Sequence, residues 1–469
     1  MLSFLIVLLS PLATLVFLPL KRKSRDFFYI LSLLISSISI WFSFHLKDLE
    51  YSIEAVGFRI MVDSYARVFL VLICCTWFIS IIYSYEFTKY HFQEKRERFF
   101  LFLNTLLTVA CINACAGNLT TLFVFYLLGI PLTYPLLTLR EIAEAIASGK
   151  KFLKQTVLPS LFIFLPAILI TYYLTGHLSF DGVSTFGSNH INPLMGGFVL
   201  ALFVIGISKN SVFPFHTWLP SASPAPAPVS GLIHSVATVK TGSIALIKIV
   251  VYIFGLDYVH QLTTDFLTGG WLTYLCGATA LYTAYRALTN DDLKIRFGFS
   301  TVGQLSYIIL AILVGTRISI LAAVLHIITH AIAKSCLFYV AGFYNSVYNT
   351  TSAREISKIM PHTRSVAFVI AICGLSITGF PFLAGFYSKD MMLIEEWNAH
   401  HYSSAIFLVL GSIVNILYII GPVRHAFHKP DSDFVKLPIP FSMMVTFLVS
   451  MALIIGSNYY VPYIVTFFD

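Results

Sequence analysis

Five lysines fall inside otherwise apolar, helix-length stretches of this 469-residue chain: Lys209, Lys240, Lys248, Lys334 and Lys389. The same stretches offer a single carboxylate, Asp390, with every other Asp and Glu expected in polar connections or at a terminus. A charged side chain at the bilayer centre costs about 2.5–3.5 kcal/mol on insertion scales, so such residues mark ion or proton pathways. One stretch adds imidazoles: LHIITHAIAK sets His326, His330 and Lys334 four residues apart, which stacks them on one helix face. Imidazole titrates near neutral pH and both donates and accepts, so the ladder reads as a proton relay. Hydrogen bonding between helices is the plainer alternative. Three aligned titratable groups favour the relay.

Lys209 and Lys240 flank a proline-rich link, SASPAPAPVS, and neither has a carboxylate on its own stretch. A lysine poised between its two protonation states carries protons, whereas a permanently charged one acts as an electrostatic gate. Lys248 sits nearer a helix end and is expected to snorkel to the interface. His234, with Ser230, Ser235 and Thr238, adds polar groups to the stretch that holds Lys240; Ser300, Thr301, Gln304 and Ser306 do so two stretches later. Such groups hold water between titratable side chains, or simply bond neighbouring helices. Lys389 and Asp390 read as a local ion pair. His326 and His330 lack both the Glu of HExxH and a third ligand, so no metal is expected there.

The elements that must position these groups are apolar helices. A composition 57% hydrophobic and 11% charged belongs to a membrane protein. Windows of about 20 apolar residues span a bilayer, and fourteen are counted: 2–20, 27–46, 65–85, 99–117, 119–139, 155–175, 193–218, 227–254, 269–288, 297–315, 317–345, 365–397, 403–423 and 441–465. The fold class predicted is an all-α polytopic membrane protein. The seventh and twelfth windows are overlong and interrupted, by Pro214 and by Gly379, Pro381 and Gly385. Each should break into half-helices, the sequence sign of a transport site. Their spacing predicts two inverted five-helix repeats, 99–254 and 269–423, after three N-terminal spans (1–98) and before a C-terminal span (424–469). The prolines of residues 221–230 rule out a continuous helix there and put that link beside the lysines.

Charge sets the orientation. Of 30 Lys and Arg, 21 fall in alternate connections, including Lys21, Arg22, Lys23 and Arg25, Lys95 and Arg98, Lys294 and Arg296, and Lys429 and Lys436, against Lys47, Arg59, Arg67 and Arg317 on the other side. The positive-inside rule then expects a multi-pass protein of the inner (plasma) membrane with both termini outside the cytoplasm. This placement explains the net charge of +8 without nucleic acid. The first apolar stretch has its basic cluster after it and no evident cleavage site, so it reads as an uncleaved span. The seven cysteines lie within spans without metal or redox spacing. No cofactor motif is visible, so no cofactor is expected.

Five segments carry a resemblance: LFVFYLLGIPLTYPLL, SKNSVFPFHTWLPSASPAPAPVSGLIHSVATVKTG, DLKIRFGFSTVGQLSY, LHIITHAIAKSCLFYVAG and GLSITGFPFLAGFYSKDMML. Over roughly 60–425 the chain resembles the antiporter-like subunits, which include the proton-pumping membrane subunits of respiratory complex I and the A-type and D-type subunits of Mrp sodium/proton antiporters. The phrasing of FVFY…TYPLL and HSVATVKTG is closer to the Mrp D-type or complex I M-type branch. The resemblance implies fourteen helices with inverted repeats and proton passage along a hydrated axis. It also implies partner subunits, transport of protons with sodium as a further candidate, and no redox chemistry on this chain. By motif position, Lys209 and Lys240 match the lysines of the first half. His326, His330 and Lys334 match the central connection, and Lys389 matches the terminal lysine. The family's fifth-span glutamate falls at Leu127 here, and Glu141 and Glu144 lie beyond that span. The missing anion favours one alternative, a structural or regulatory subunit with an impaired first half; a third reading is the membrane subunit of an inorganic-carbon uptake system, beside a soluble partner.

Overall fold

The computed structural model describes residues 2–17, 25–53, 57–91, 94–181, 185–189, 191–428 and 437–468. Lys21, Arg22, Lys23, Lys429 and Lys436, counted above among the basic clusters, lie outside the described residues. Among the described residues, nine helices are long and apolar enough to cross a membrane. They become ten if Phe441–Ile455 and Ser457–Thr466, bent by 57°, form one span. Leu2–Val16, Pro193–Gly206 and Arg364–Thr378 are shorter apolar helices. Trp271–Thr289 has nineteen residues but is not among the nine. The difference from fourteen lies partly in the broken windows, whose halves are too short to qualify singly.

The chain is not all-α. Leu49–Ile53 and Phe58–Val62 pair as an antiparallel hairpin, with Leu49 opposite Val62 and Ile53 opposite Phe58. Strand pairing satisfies backbone groups of a polar connection that a helix would otherwise carry. Arg59 ties the hairpin down through ion pairs to Glu50 and Asp181.

Both interruptions read from the sequence are real. Pro193–Gly206 stops, Ser208–Asn210 forms one 3₁₀ turn, and Ser211 takes a left-handed conformation at φ 56°. Arg364–Thr378 ends on Gly379 at φ 89°, a conformation open to glycine, before Ala384–Asn398 resumes. A Cβ on Gly385 would sit 1.8 Å from the Ser376 carbonyl oxygen, so the halves meet there only because residue 385 has none. A third irregularity, the π-helical turn Ile233–Ala237, precedes Val239–Lys248.

Between the breaks stand two unbroken helices, Leu293–Val314 and Arg317–Val347, whose apolar cores are completely buried. Gly315 at φ 71° turns the chain between them, and Thr316 and Ser319 close a reciprocal capping box on the second. Arg317–Val347 packs on Leu293–Val314, Ala227–Leu232, Arg364–Thr378 and Ala384–Asn398. The histidine ladder is therefore central. One end of the bundle carries the hairpin. The opposite end carries Lys95 and Arg98, paired with Glu141 at 2.8 and 3.0 Å, and Asp291, paired with Arg354 at 3.6 Å.

Candidate functional site: a buried line of lysines and histidines

Lys209 lies in the first break, 1% exposed. Its ammonium donates to the Tyr126 carbonyl at 2.7 Å and sits 4.1 Å from that ring's centre. Its backbone N–H donates to the Tyr126 hydroxyl at 3.1 Å. Gly129 makes room, since a Cβ there would be 3.1 Å from the ammonium nitrogen. Leu127 is half-buried against the core, and no ion pair joins Lys209 to a carboxylate among the described residues. Glu141 is engaged by Lys95 and Arg98. Lys95, closest in effect, and Arg98 hold its carboxyl below the usual range. Glu144 is exposed.

Beyond the proline-rich link comes Lys240, with no exposed surface and, among the described residues, no hydrogen-bond partner on its ammonium. A buried ammonium without a protein acceptor is costly and is normally relieved by water or by losing its proton. The electrostatic surroundings of His330 include Lys240, Lys334, His326 and His234, so groups from Ile233–Ala237, Val239–Lys248 and Arg317–Val347 meet here. Both ring nitrogens of His330 and Nδ1 of His234 have no hydrogen-bond partner among the described residues, and the His234 ring stacks on Phe338 at 4.1 Å. Lys334 donates to Ser300 Oγ at 2.6 Å and to the Phe297 carbonyl at 3.2 Å. Ser300 also bonds the Tyr418 hydroxyl.

The ladder continues toward the second break. The rings of His330 and His326 are 6.1 Å apart. His326 bridges Gln304 Oε1 and Ser388 Oγ, each at 3.0 Å. Ser388 adjoins Lys389, whose ammonium donates to Ser412 Oγ at 2.7 Å and lies 4.9 Å from the Tyr307 ring centre. Of the polar side chains singled out above, Ser300 and Gln304 serve the line. Thr301 and Ser306 bond carbonyls of their own helix, and Ser230 and Ser235 bond carbonyls nearby. Lys294 donates to the Ser223 and Ala225 carbonyls, which pins the proline-rich link.

Three expectations are corrected. Lys389 and Asp390 form no ion pair among the described residues; successive helical side chains diverge, and Asp390 faces outward, half-buried. Lys248 does not snorkel. It is fully buried, pairs with Asp63 at 3.4 Å and donates to the Ala116 carbonyl at 3.0 Å. Asp63 also accepts from the Tyr252 hydroxyl at 2.8 Å and edges a cavity of about 610 Å³ lined by Asp48, Glu50 and Arg317. Nor is Asp390 the sole carboxylate within the helices. Glu86 lies in Ser64–His91 and accepts twice from Ser442, and Glu396 lies in Ala384–Asn398, 1% exposed. Glu396 falls inside the window 365–397, and its position seven residues after Lys389 was the available signal. Asp63 offered none, because only the tertiary fold brings it to Lys248.

Residues 116–415 match the family described as NADH:quinone oxidoreductase/Mrp antiporter, transmembrane. The chain is 29% identical over 366 residues to a probable K(+)/H(+) antiporter protein of Rhizobium meliloti, named as its A/B subunit, covering 75% of this chain and 35% of that protein. It is 29% identical over 406 residues to the chloroplastic NAD(P)H-quinone oxidoreductase subunit 5 of Zea mays, covering 78% and 52%. The chain thus spans about half or less of these curated relatives. In fold it is similar to a chain of the membrane-bound sulfane sulfur reductase, an archaeal respiratory membrane complex, with TM-score 0.85, 21% identity and coverage of 99% and 96%. The protein is a multi-pass membrane protein that belongs to the NADH:quinone oxidoreductase/Mrp antiporter family.

Proposed function

We propose that this chain is a proton-translocating component of a multi-subunit membrane complex, with Lys209, Lys240, His234, His326, His330, Lys334 and Lys389 as its path and Asp390 at the path's edge. The observation that carries this reading is Lys240, fully buried, without a protein acceptor and amid His234, His330 and Lys334. A role in packing alone would leave the Lys240 ammonium satisfied, and no group among the described residues satisfies it. The fourteen spans, the inverted repeats 99–254 and 269–423, the flanking segments 1–98 and 424–469, and a cytoplasmic basic end belong to the same reading. The paired breaks and the charge distribution support them. The FVFY…TYPLL and HSVATVKTG phrasing supports a D-type Mrp subunit or an M-type subunit like that of complex I, while the names of the relatives speak for a sister branch; co-purifying subunits decide between them.

The lack of a carboxylate partner for Lys209 among the described residues favours a second reading, a structural or regulatory role in which the first half does not conduct. Both are tested by reconstituting the native complex in vesicles and following proton uptake with a pH-sensitive dye. Lys389→Ala abolishes uptake if the chain conducts; an unchanged rate establishes the structural role.

A further inference from the structure

We propose that Glu396 is a proton-accepting carboxyl and the station that follows Lys389 toward the hairpin end of the bundle. This rests on the proton-transport reading above. Both oxygens of Glu396 lack a hydrogen-bond partner at 1% exposure, and no other carboxyl among the described residues is left in that state. An ionised carboxylate so placed is costly, so the group holds a proton or exchanges one. Its neighbour Glu395 serves as the contrast: that carboxylate accepts from the Thr316 hydroxyl at 2.7 Å.

Position supplies the second argument. Glu396 lies seven residues after Lys389 on one helix, hence on the same face about 10 Å further along. That gap is too long for direct transfer, and Tyr307 neighbours both groups. The Tyr307 ring is 4.9 Å from the Lys389 ammonium, and its buried hydroxyl has Asn415 as a hydrogen-bonding neighbour and Glu396 in its electrostatic surroundings. In the turn after Glu396 and at the start of the next helix, His401 Nε2 and Ser404 Oγ are likewise buried without partners among the described residues. The His401 ring is 5.6 Å from that of His260, which is half-buried at the bundle end. Polar atoms that neither backbone nor side chain satisfies are the ones water reaches. Such groups, gathered between Lys389 and the hairpin end, make a conduit; packing alone would not need them.

The step balances as one proton transfer. The Lys389 ammonium gives its proton through the Tyr307 hydroxyl to the Glu396 carboxylate, leaving a neutral amine and a neutral acid. Glu396 then releases the proton toward His401 and His260. The experiment uses the native complex in vesicles. Glu396→Gln keeps the volume and removes the exchangeable proton, so uptake falls by about a hundredfold, while Glu396→Asp retains part of it. Infrared spectra of the unaltered complex show a protonated-carboxyl band that shifts in D₂O and is absent from Glu396→Gln. Unchanged uptake in Glu396→Gln, or the same infrared spectrum, overturns the proposal. Should Glu396→Gln not assemble, Tyr307→Phe breaks the link with the carboxyl in place, and an unchanged rate there is equally decisive. An unaltered complex that takes up no protons removes the transport reading itself; uptake that survives Glu396→Gln removes only this station.

Discussion

The ammonium of Lys209 rests 2.7 Å from the carbonyl oxygen of Tyr126, on the residue next to Leu127. A neutral backbone dipole thus occupies the place where a carboxylate would bias the lysine. Opposite unit charges 4 Å apart interact by about 4 kcal/mol at an effective dielectric of 20, enough to change which protonation state prevails. Leu127→Glu is therefore expected to be tolerated or to raise proton uptake. A fall in uptake by a well-assembled Leu127→Glu complex would count against the idea that the first half lacks only its anion.

Lys240 separates two kinds of lysine. A proton carrier must reach its neutral form, and arginine cannot. Lys240→Arg should lower uptake about a hundredfold, as far as Lys240→Met does. If arginine supports transport and methionine does not, the residue is a fixed charge that gates the path.

The Lys248–Asp63 pair is asymmetric, because the lysine has no exposed surface while Asp63 keeps 11% at the cavity edge. Asp63→Asn strands a buried ammonium and should cost about 3 kcal/mol or more. Lys248→Met leaves a carboxylate that Tyr252 and solvent still serve and should cost less. The double variant should recover much of the Asp63→Asn loss. Unfolding of the three variants in detergent ranks them.

Burial, with His260 beside it, pushes His401 from 6.5 down to about 4. The unfolded chain therefore takes up this proton first as pH falls. Stability contributed here is complete above pH 6.5 and declines between pH 6.5 and 4. His401→Gln cannot take up the proton, so its unfolding midpoint should be flatter across that window than that of the unaltered chain.

Much of the site was legible because it obeys local rules. Pro214 and Gly379 break helices wherever they stand, and residues four apart share a face in any helix, so the two breaks and the ladder from His326 to Lys334 could be read directly. The misreadings came where a neighbour in space decides the matter. Lys248 is near a helix end in sequence, yet Asp63 and the Ala116 carbonyl hold it inside. Glu395 and Glu396 read as one polar terminus, but successive helical residues diverge, so one reaches Thr316 and the other the interior. Lys389 and Asp390 were misjudged as a pair for the same geometric reason. The hairpin escaped notice because its short strands lie in a charged connection.

The ladder on Arg317–Val347 also has an electrical meaning. Its first and last members, His326 and Lys334, are eight residues apart on an unbroken helix, which separates them by about 12 Å along the helix axis. The hydrocarbon layer is about 30 Å thick, so a proton moved between them crosses up to roughly two-fifths of the transmembrane voltage. At about 2.3 kcal/mol per charge per 100 mV, a proton on that leg would exchange up to about 0.9 kcal/mol with the field for every 100 mV. The middle of this protein would then be a place where membrane potential does work, and the traffic through it would slow or quicken with voltage even at matched pH.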